Sequence, residues 1–251
     1  MRKEEERRPK GYDGVNTMND SNLLQVIDVK KSFFRAKALA GLSFNLEKGV
    51  ILGLLGPNGS GKSSLLKIIS GLYRPSDGKV LIQGEVPSRK TKAKVAYLPE
   101  IDYLYPWMSV RQTLDFVSTF YDDWNENKAL ELLKFMNLDP EVTVGKLSKG
   151  MRARLKLALT MGRDSSLILL DEPFSGIDPP SRARIMESII AQYSTGEQSI
   201  ILSTHEVGES EKLFDRVLFL ENGRLKLMGE AEELRQEMGK SINDIFKEVY
   251  Q

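Results

Sequence analysis

The chain has no cysteine and a single histidine in 251 residues. Disulfides and thiolate metal sites are therefore excluded, and so is a centre built from several histidines. A reducing compartment is compatible with that composition. An excess of one charge is missing too: Lys and Arg number 36 against 35 Asp and Glu, a formal net charge of +1. So balanced a chain has no bulk field with which to hold nucleic acid or an anionic membrane, and no nucleic-acid partner is expected. Long hydrophobic runs are also absent. LILL and VLFL fall far short of the roughly 20 residues that cross a bilayer. The charged start has no apolar segment of a secretory signal behind it. The expectation is a soluble chain that reaches a membrane only through a partner.

What is present is organised in blocks. Residues 1–21 mix charge with Gly, Pro and Asn and read as a disordered tail, and Met18 is an alternative start. From Leu23, short segments of β type follow one another: LLQVIDVKKSFF, ALAGLSFNL, GVILGLLG, KVLIQG and KVAYLPE. One helix, GKSSLLKIISG, interrupts them. Between Ser109 and Arg163 apolar residues recur at helical spacing. Strand and helix then alternate: SLILLDE, a helix over Pro179–Tyr193, SIILST, a short helix through Leu213, RVLFLENGRLKLMG and two closing helices. Such alternation predicts an α/β fold with a mostly parallel sheet.

GPNGSGKSS fits the phosphate-loop pattern G-x-x-x-x-G-K-[ST], at Gly56, Gly61, Lys62 and Ser63. An apolar strand precedes it and a helix follows, the context the motif requires. Glycines let backbone amides turn toward phosphate oxygens, and the helix N-terminus adds its positive end. Lys62 would reach the β- and γ-phosphates, and the Ser63 hydroxyl would ligate Mg²⁺. LILLDEP is a buried-type strand ending in two carboxylates, at the sheet edge where ligands bind. Asp171 is expected to hold Mg²⁺ directly or through water, and Glu172 to act as general base on the attacking water.

In this order the motifs resemble those of ABC transporter nucleotide-binding subunits: the loop at Gly56–Ser63, YLPE ending at Glu100, LSKGM over Leu147–Met151, LILLDE, SGID ending at Asp178, and STHE containing His205. The resemblance covers about Leu23 to Gly229. It implies a P-loop NTPase core, an N-terminal antiparallel β part and an inserted helical subdomain at about residues 101–163, within an ATPase domain over 22–251. It implies ATP and Mg²⁺ as ligands, with Gly56, Pro57, Asn58, Gly59, Ser60, Gly61, Lys62, Ser63 and Ser64 around the phosphates. Glu100 would sit beside the metal, together with Ser63 and Asp171. Two subunits would face head to tail, so that Ser148 and Gly150 contact the γ-phosphate of ATP bound mainly by the opposite chain. On the other side of the site, His205 would contact the γ-phosphate of the ATP held by its own phosphate loop and help hold Glu172 and the water. Asp178 would cross the dimer interface, with a helix N-cap as the plain alternative. Phe33 would stack on adenine, or else be strand core.

The resemblance further implies a separate transmembrane permease subunit, a second nucleotide-binding subunit, alike or different, and a cytoplasmic place on the inner face of the membrane. YLPE and LSKGM lean toward export. The aromatic run Ile101–Val110 either docks the membrane subunit or glues subdomains together. A soluble ATPase of iron–sulfur assembly is the alternative function, and a nucleotide sensor without turnover is disfavoured by Glu172 and His205. Three positions depart from the family pattern: Glu100 for Gln, Lys149 for Gly and Met151 for Gln. Lys149 points to solvent or toward the trans phosphate. The cations of LSKGMRARLKLALT are expected to form a mostly solvated face, opposite an apolar stripe of Met151, Leu155, Ala158 and Leu159.

Overall fold

The computed structural model describes residues 22–34, 36–193 and 198–251; the expected tail and the Met18 start lie outside them. The strands are β1 (Asn22–Phe33), β2 (Ala36–Glu47), β3 (Ile51–Leu55), β4 (Asp77–Ile82), β5 (Val95–Leu98), β6 (Leu167–Asp171), β7 (Ser199–Thr204), β8 (Arg216–Glu221) and β9 (Arg224–Glu230). The helices are α1 (Lys62–Ile69), α2 (Arg89–Lys92), α3 (Val110–Ser118), α4 (Glu126–Phe135), α5 (Lys149–Met161), α6 (Pro179–Tyr193), α7 (Ala231–Met238) and α8 (Ile242–Tyr250).

Two sheets form. β2-β1-β4 is antiparallel, and β5-β6-β7-β3-β8-β9 is parallel except at its β8–β9 edge. The central strands are apolar throughout because both their faces are covered, as parallel strands require. Alternation sends their side chains to two cores. Ile51, Leu55, Ile168 and Leu170 face one core with α3–α6 and the closing helices. Leu52, Leu54, Leu167 and Leu169 face the other, with α1 and the antiparallel sheet. Gly53 has no side chain because the Phe214 ring occupies the place where a Cβ would go.

The strands and long helices fall where the sequence puts them. The four-residue α2 was not foreseen; a reciprocal Ser88–Thr91 capping box holds it. The expected short helix through Leu213 is a 3₁₀ turn over Glu209–Leu213.

The expected solvated face of α5 is a clear correction. Its apolar stripe is buried as anticipated at Leu155, Ala158 and Leu159. Its cations, however, are engaged: Lys156 is buried, Arg152 pairs with Asp102 at 2.6 Å, and Arg154 donates to the Met136 carbonyl at 2.5 Å. The turn after β5 lies over this face, so polar spacing marked a contact rather than a solvent boundary.

Just past α5, Arg163 joins the helical block to the sheet. Its guanidinium donates to both Asp123 carboxylate oxygens, at 3.0 to 3.2 Å, and to the carbonyls of Val95, Lys92 and Ala93. It also stacks 3.9 Å from the Tyr121 ring centroid. Arg163→Ala leaves a half-buried carboxylate and three carbonyls without this donor. It should cost about 3–5 kcal/mol, read as a lower urea midpoint; an unchanged midpoint would contradict this assignment.

Candidate nucleotide site

The parallel sheet delivers the site at one edge. β3, β6 and β7 all end there, followed by Gly56, Glu172 and His205 respectively. A pocket of about 440 Å³ at that edge is lined by Asn58, Gly59, Gly61, Lys62, Ser63, Ser64, Glu100, Glu172, Ser175 and His205.

The loop before α1 needs its glycines for definite reasons. Gly61 has φ 113°, a conformation that side chains disfavour, and a Cβ there would meet the Ala38 carbonyl oxygen at 2.5 Å. A Cβ on Gly56 would collide with the Leu220 carbonyl. Gly59, at φ 80°, has open space before it. Pro57, Asn58 and Gly59 form the exposed rim, whereas Ser60 is buried. α1 starts at Lys62 with no side-chain cap, so its first amides remain available to an anion.

Lys62 is 5% exposed and is held inward. Its ammonium donates to the Gly56 carbonyl at 2.7 Å and the Pro57 carbonyl at 3.2 Å, and pairs with Glu172 Oε1 at 3.2 Å. The other Glu172 oxygen lies 3.0 Å from His205 Nδ1. Nδ1–H donates to that carboxylate in the tautomer this contact favours. Glu172 also has φ 50°, the left-handed region. A non-glycine residue held there costs on the order of 1–3 kcal/mol, and such strain clusters at functional sites. Its amide is bound by the Ser203 carbonyl and hydroxyl, each at 3.1 Å.

Asp171 is 1% exposed. Ser63 Oγ (3.0 Å) and Ser203 Oγ (2.8 Å) donate to one of its oxygens, and the Tyr97 hydroxyl (3.1 Å) to the other. Burial and the Asp171 charge push the Tyr97 phenol strongly upward, so it stays a neutral donor. No ion pair to Asp171 occurs among the described residues, so a buried carboxylate is held by hydroxyls alone. That is a place for a cation. No group of three or more His, Cys, Asp or Glu that could hold a metal occurs among the described residues. The Ser63 hydroxyl beside the Asp171 carboxylate is a donor set that fits a magnesium ion, which needs only one or two protein oxygens when phosphates supply others.

Ser148, Gly150 and Asp178 form a second cluster that does not line this pocket. Ser148 caps α5 by accepting the Met151 amide at 3.2 Å. Asp178 accepts the Ser181 amide at 2.9 Å in N-cap geometry, which holds its carboxyl below the usual carboxylate range. A Cβ on Gly150 would strike Asp178 and Ser181, so glycine lets the two helix starts lie side by side. The Lys149 ammonium turns back against Gly176 of its own chain. Phe33 is not strand core: it is 39% exposed at the end of β1, its ring edge-on to Tyr73 with centroids 5.5 Å apart.

Tyr97, Ser203 and Ser175 were not picked out from the sequence. The first two had a readable signal: each is a hydroxyl on an apolar strand flanking β6. Within Ile101–Val110, Leu104 is buried, while Ile101 and Trp107 stand 70% and 69% exposed. Ile101 and Tyr103 line an apolar groove of about 510 Å³ with Leu72, Phe120 and Leu159.

This fold and edge define a P-loop nucleotide-binding protein. The family model described as ABC transporter matches residues 39–175. The Nod factor export ATP-binding protein I of Bradyrhizobium diazoefficiens is 36% identical, over 91% of this chain and 78% of that protein. Human ATP-binding cassette sub-family A member 6 is 33% identical over 84% of this chain, which spans only 13% of that protein's length. A solved ATP-binding subunit of an ABC transporter superposes with a TM-score of 0.80 at 27% identity, covering 91% of this chain and all of that one. The chain belongs to the ABC transporter family, among its ATP-binding proteins.

Ser203→Ala removes one of three donors to Asp171 and one acceptor from the Glu172 amide. A site cost of about 1–3 kcal/mol should weaken nucleotide binding about tenfold with Mg²⁺ and leave Mg²⁺-free binding unchanged, measured with a fluorescent nucleotide. Equal loss in both conditions would argue against a metal role for Asp171.

Proposed function

We propose that this protein hydrolyses ATP as a subunit of an ABC transporter, driving movement through a separate membrane subunit, export rather than import. The observation that carries the reading is the Lys62–Glu172–His205 chain, its lysine and carboxylate buried, beside the buried carboxylate Asp171 that Ser63 holds. The name of one relative, the Nod factor export protein above, favours export.

The phosphates of ATP lie against the amides of Gly59 and Gly61 and the start of α1. Ser63 and Asp171, with Glu100 beside them, would hold Mg²⁺, which would supply charge neutralisation at the transferred phosphoryl group. Lys62 exchanges its carboxylate partner for phosphate oxygens. That exchange frees Glu172 Oε1 to take a proton as water attacks the γ-phosphorus and the bond to ADP breaks. His205, bonded to the other oxygen, keeps the carboxylate aimed. Phe33 offers its exposed ring to adenine, and Tyr73 beside it braces that ring.

Ser148 and Gly150 of a second copy or close relative complete the phosphate shell, with Asp178 at the interface. The helical block at about residues 101–163 carries that surface. The groove at Ile101, Tyr103 and Phe120 receives an apolar helical segment of the membrane subunit, which puts the chain on the inner face of the membrane. No helix among the described residues is long and apolar enough to cross it.

Glu172→Gln should cut turnover by about 10²–10⁴ while ATP binding persists and an ATP-bound dimer accumulates on size exclusion. Normal phosphate release from that variant would remove Glu172 as the base. Phe120→Glu should abolish co-purification of the membrane subunit from native membranes and spare ATP binding. Retained co-purification would place the docking surface elsewhere.

A further inference from the structure

One strongly held group has no part in the reading above. Lys156 lies two turns into α5, among Leu155, Leu157 and Leu159, and is itself 8% exposed. Its ammonium donates to the carbonyls of Pro99, Glu100 and Ile101, each at 3.0 Å. An ammonium has three donors, so the set is complete. One turn earlier Arg152 donates to Asp102 Oδ2 at 2.6 Å, and Asp102 Oδ1 accepts the Leu104 amide at 3.2 Å.

Three consecutive carbonyl oxygens converging on a buried point repel one another unless a cation sits there. An apolar residue at 156 would leave them facing hydrocarbon. Burial pulls the Lys156 pKa down, while Asp102, Glu100 and Asp171 act in the opposite direction. The path of the main chain at residues 99–101 therefore depends on this side chain. That path matters on two sides: Glu100 lines the nucleotide pocket, and Ile101 lines the apolar groove.

We infer that Lys156 is a positioning residue: by gripping the carbonyls of Pro99–Ile101 it presents the Glu100 carboxylate to the Mg²⁺–nucleotide pocket and fastens that turn to the helix that starts at Ser148. It acts through Glu100 and touches neither nucleotide nor metal. The inference rests on the proposal that this pocket binds Mg·ATP.

The test measures binding of a fluorescent ATP analogue against Mg²⁺ concentration, with amide hydrogen exchange alongside, for the full chain, Lys156→Met, Lys156→Gln, Glu100→Ala and the Met/Ala double variant. In Lys156→Met the Mg²⁺ concentration for half-maximal binding should rise about fivefold, the scale of coupling between neighbouring groups. Amides of residues 100–105 should exchange faster while those of 59–64 keep their protection. In the Glu100→Ala background the same change should shift the Mg²⁺ dependence less than about twofold, because the carboxylate being positioned is gone. Lys156→Gln, with two donors in place of three, should fall between and serves if the Met variant does not fold. Equal shifts with and without Glu100, or faster exchange over the whole chain, would reduce Lys156 to a structural role and overturn the inference. Failure of the unaltered chain to bind Mg·ATP would instead overturn the functional proposal.

Discussion

A buried carboxylate held by three hydroxyls sets the terms for the rest of this structure. Asp171 is held by hydroxyls from Ser63, Tyr97 and Ser203, and each comes from a different element: α1, β5 and β7. All three must arrive together, so the registers of β5 and β7 against β6 are fixed at once. Asp171 stands opposite Ser203, and Leu98 opposite Leu170. A slip of one residue would reverse the facing of every side chain in the strand and bury the charge with no donors. The next residue inherits the constraint. Glu172 can turn into the left-handed region because its amide is caught by Ser203, the residue that also holds Asp171.

The sheet carried most of what was legible in the sequence. The phosphate loop was readable because its glycines answer local steric demands: a Cβ at Gly56 or Gly61 meets a neighbouring carbonyl. α6 was readable from Pro179 onward because a proline suits a first helical turn and Asp178 caps it. The α5 cations were not. Helical periodicity separates an apolar face from a polar one, but it does not say whether water or a distant loop covers the polar face. Lys156 meets carbonyls more than fifty residues earlier in the chain, a relation no local pattern contains. For Phe33 the sequence leaves adenine stacking and strand core both open, and its exposed place follows from its position at the end of β1.

Seen from α5, the two clusters become one mechanical arrangement. The helix begins at Ser148, against the start of α6, and ends beside Arg163, which grips the backbone leading into β5. Between those ends Arg152 and Lys156 hold the turn that follows β5. The apolar groove, lined by Ile101, is thus one residue from Glu100 and tied through Lys156 to the helix that Ser148 caps. Interiors packed at crystal density transmit displacements rather than absorb them. The glycine at 150 tightens the link further, because the α5 backbone there lies directly against the Asp178 and Ser181 side chains at the start of α6. On the proposed reading as an ATP-driven transporter subunit, chemical groups must be aimed and levers stiff. The thirteen-residue α5 joins the two clusters through its charged side chains, not its apolar stripe.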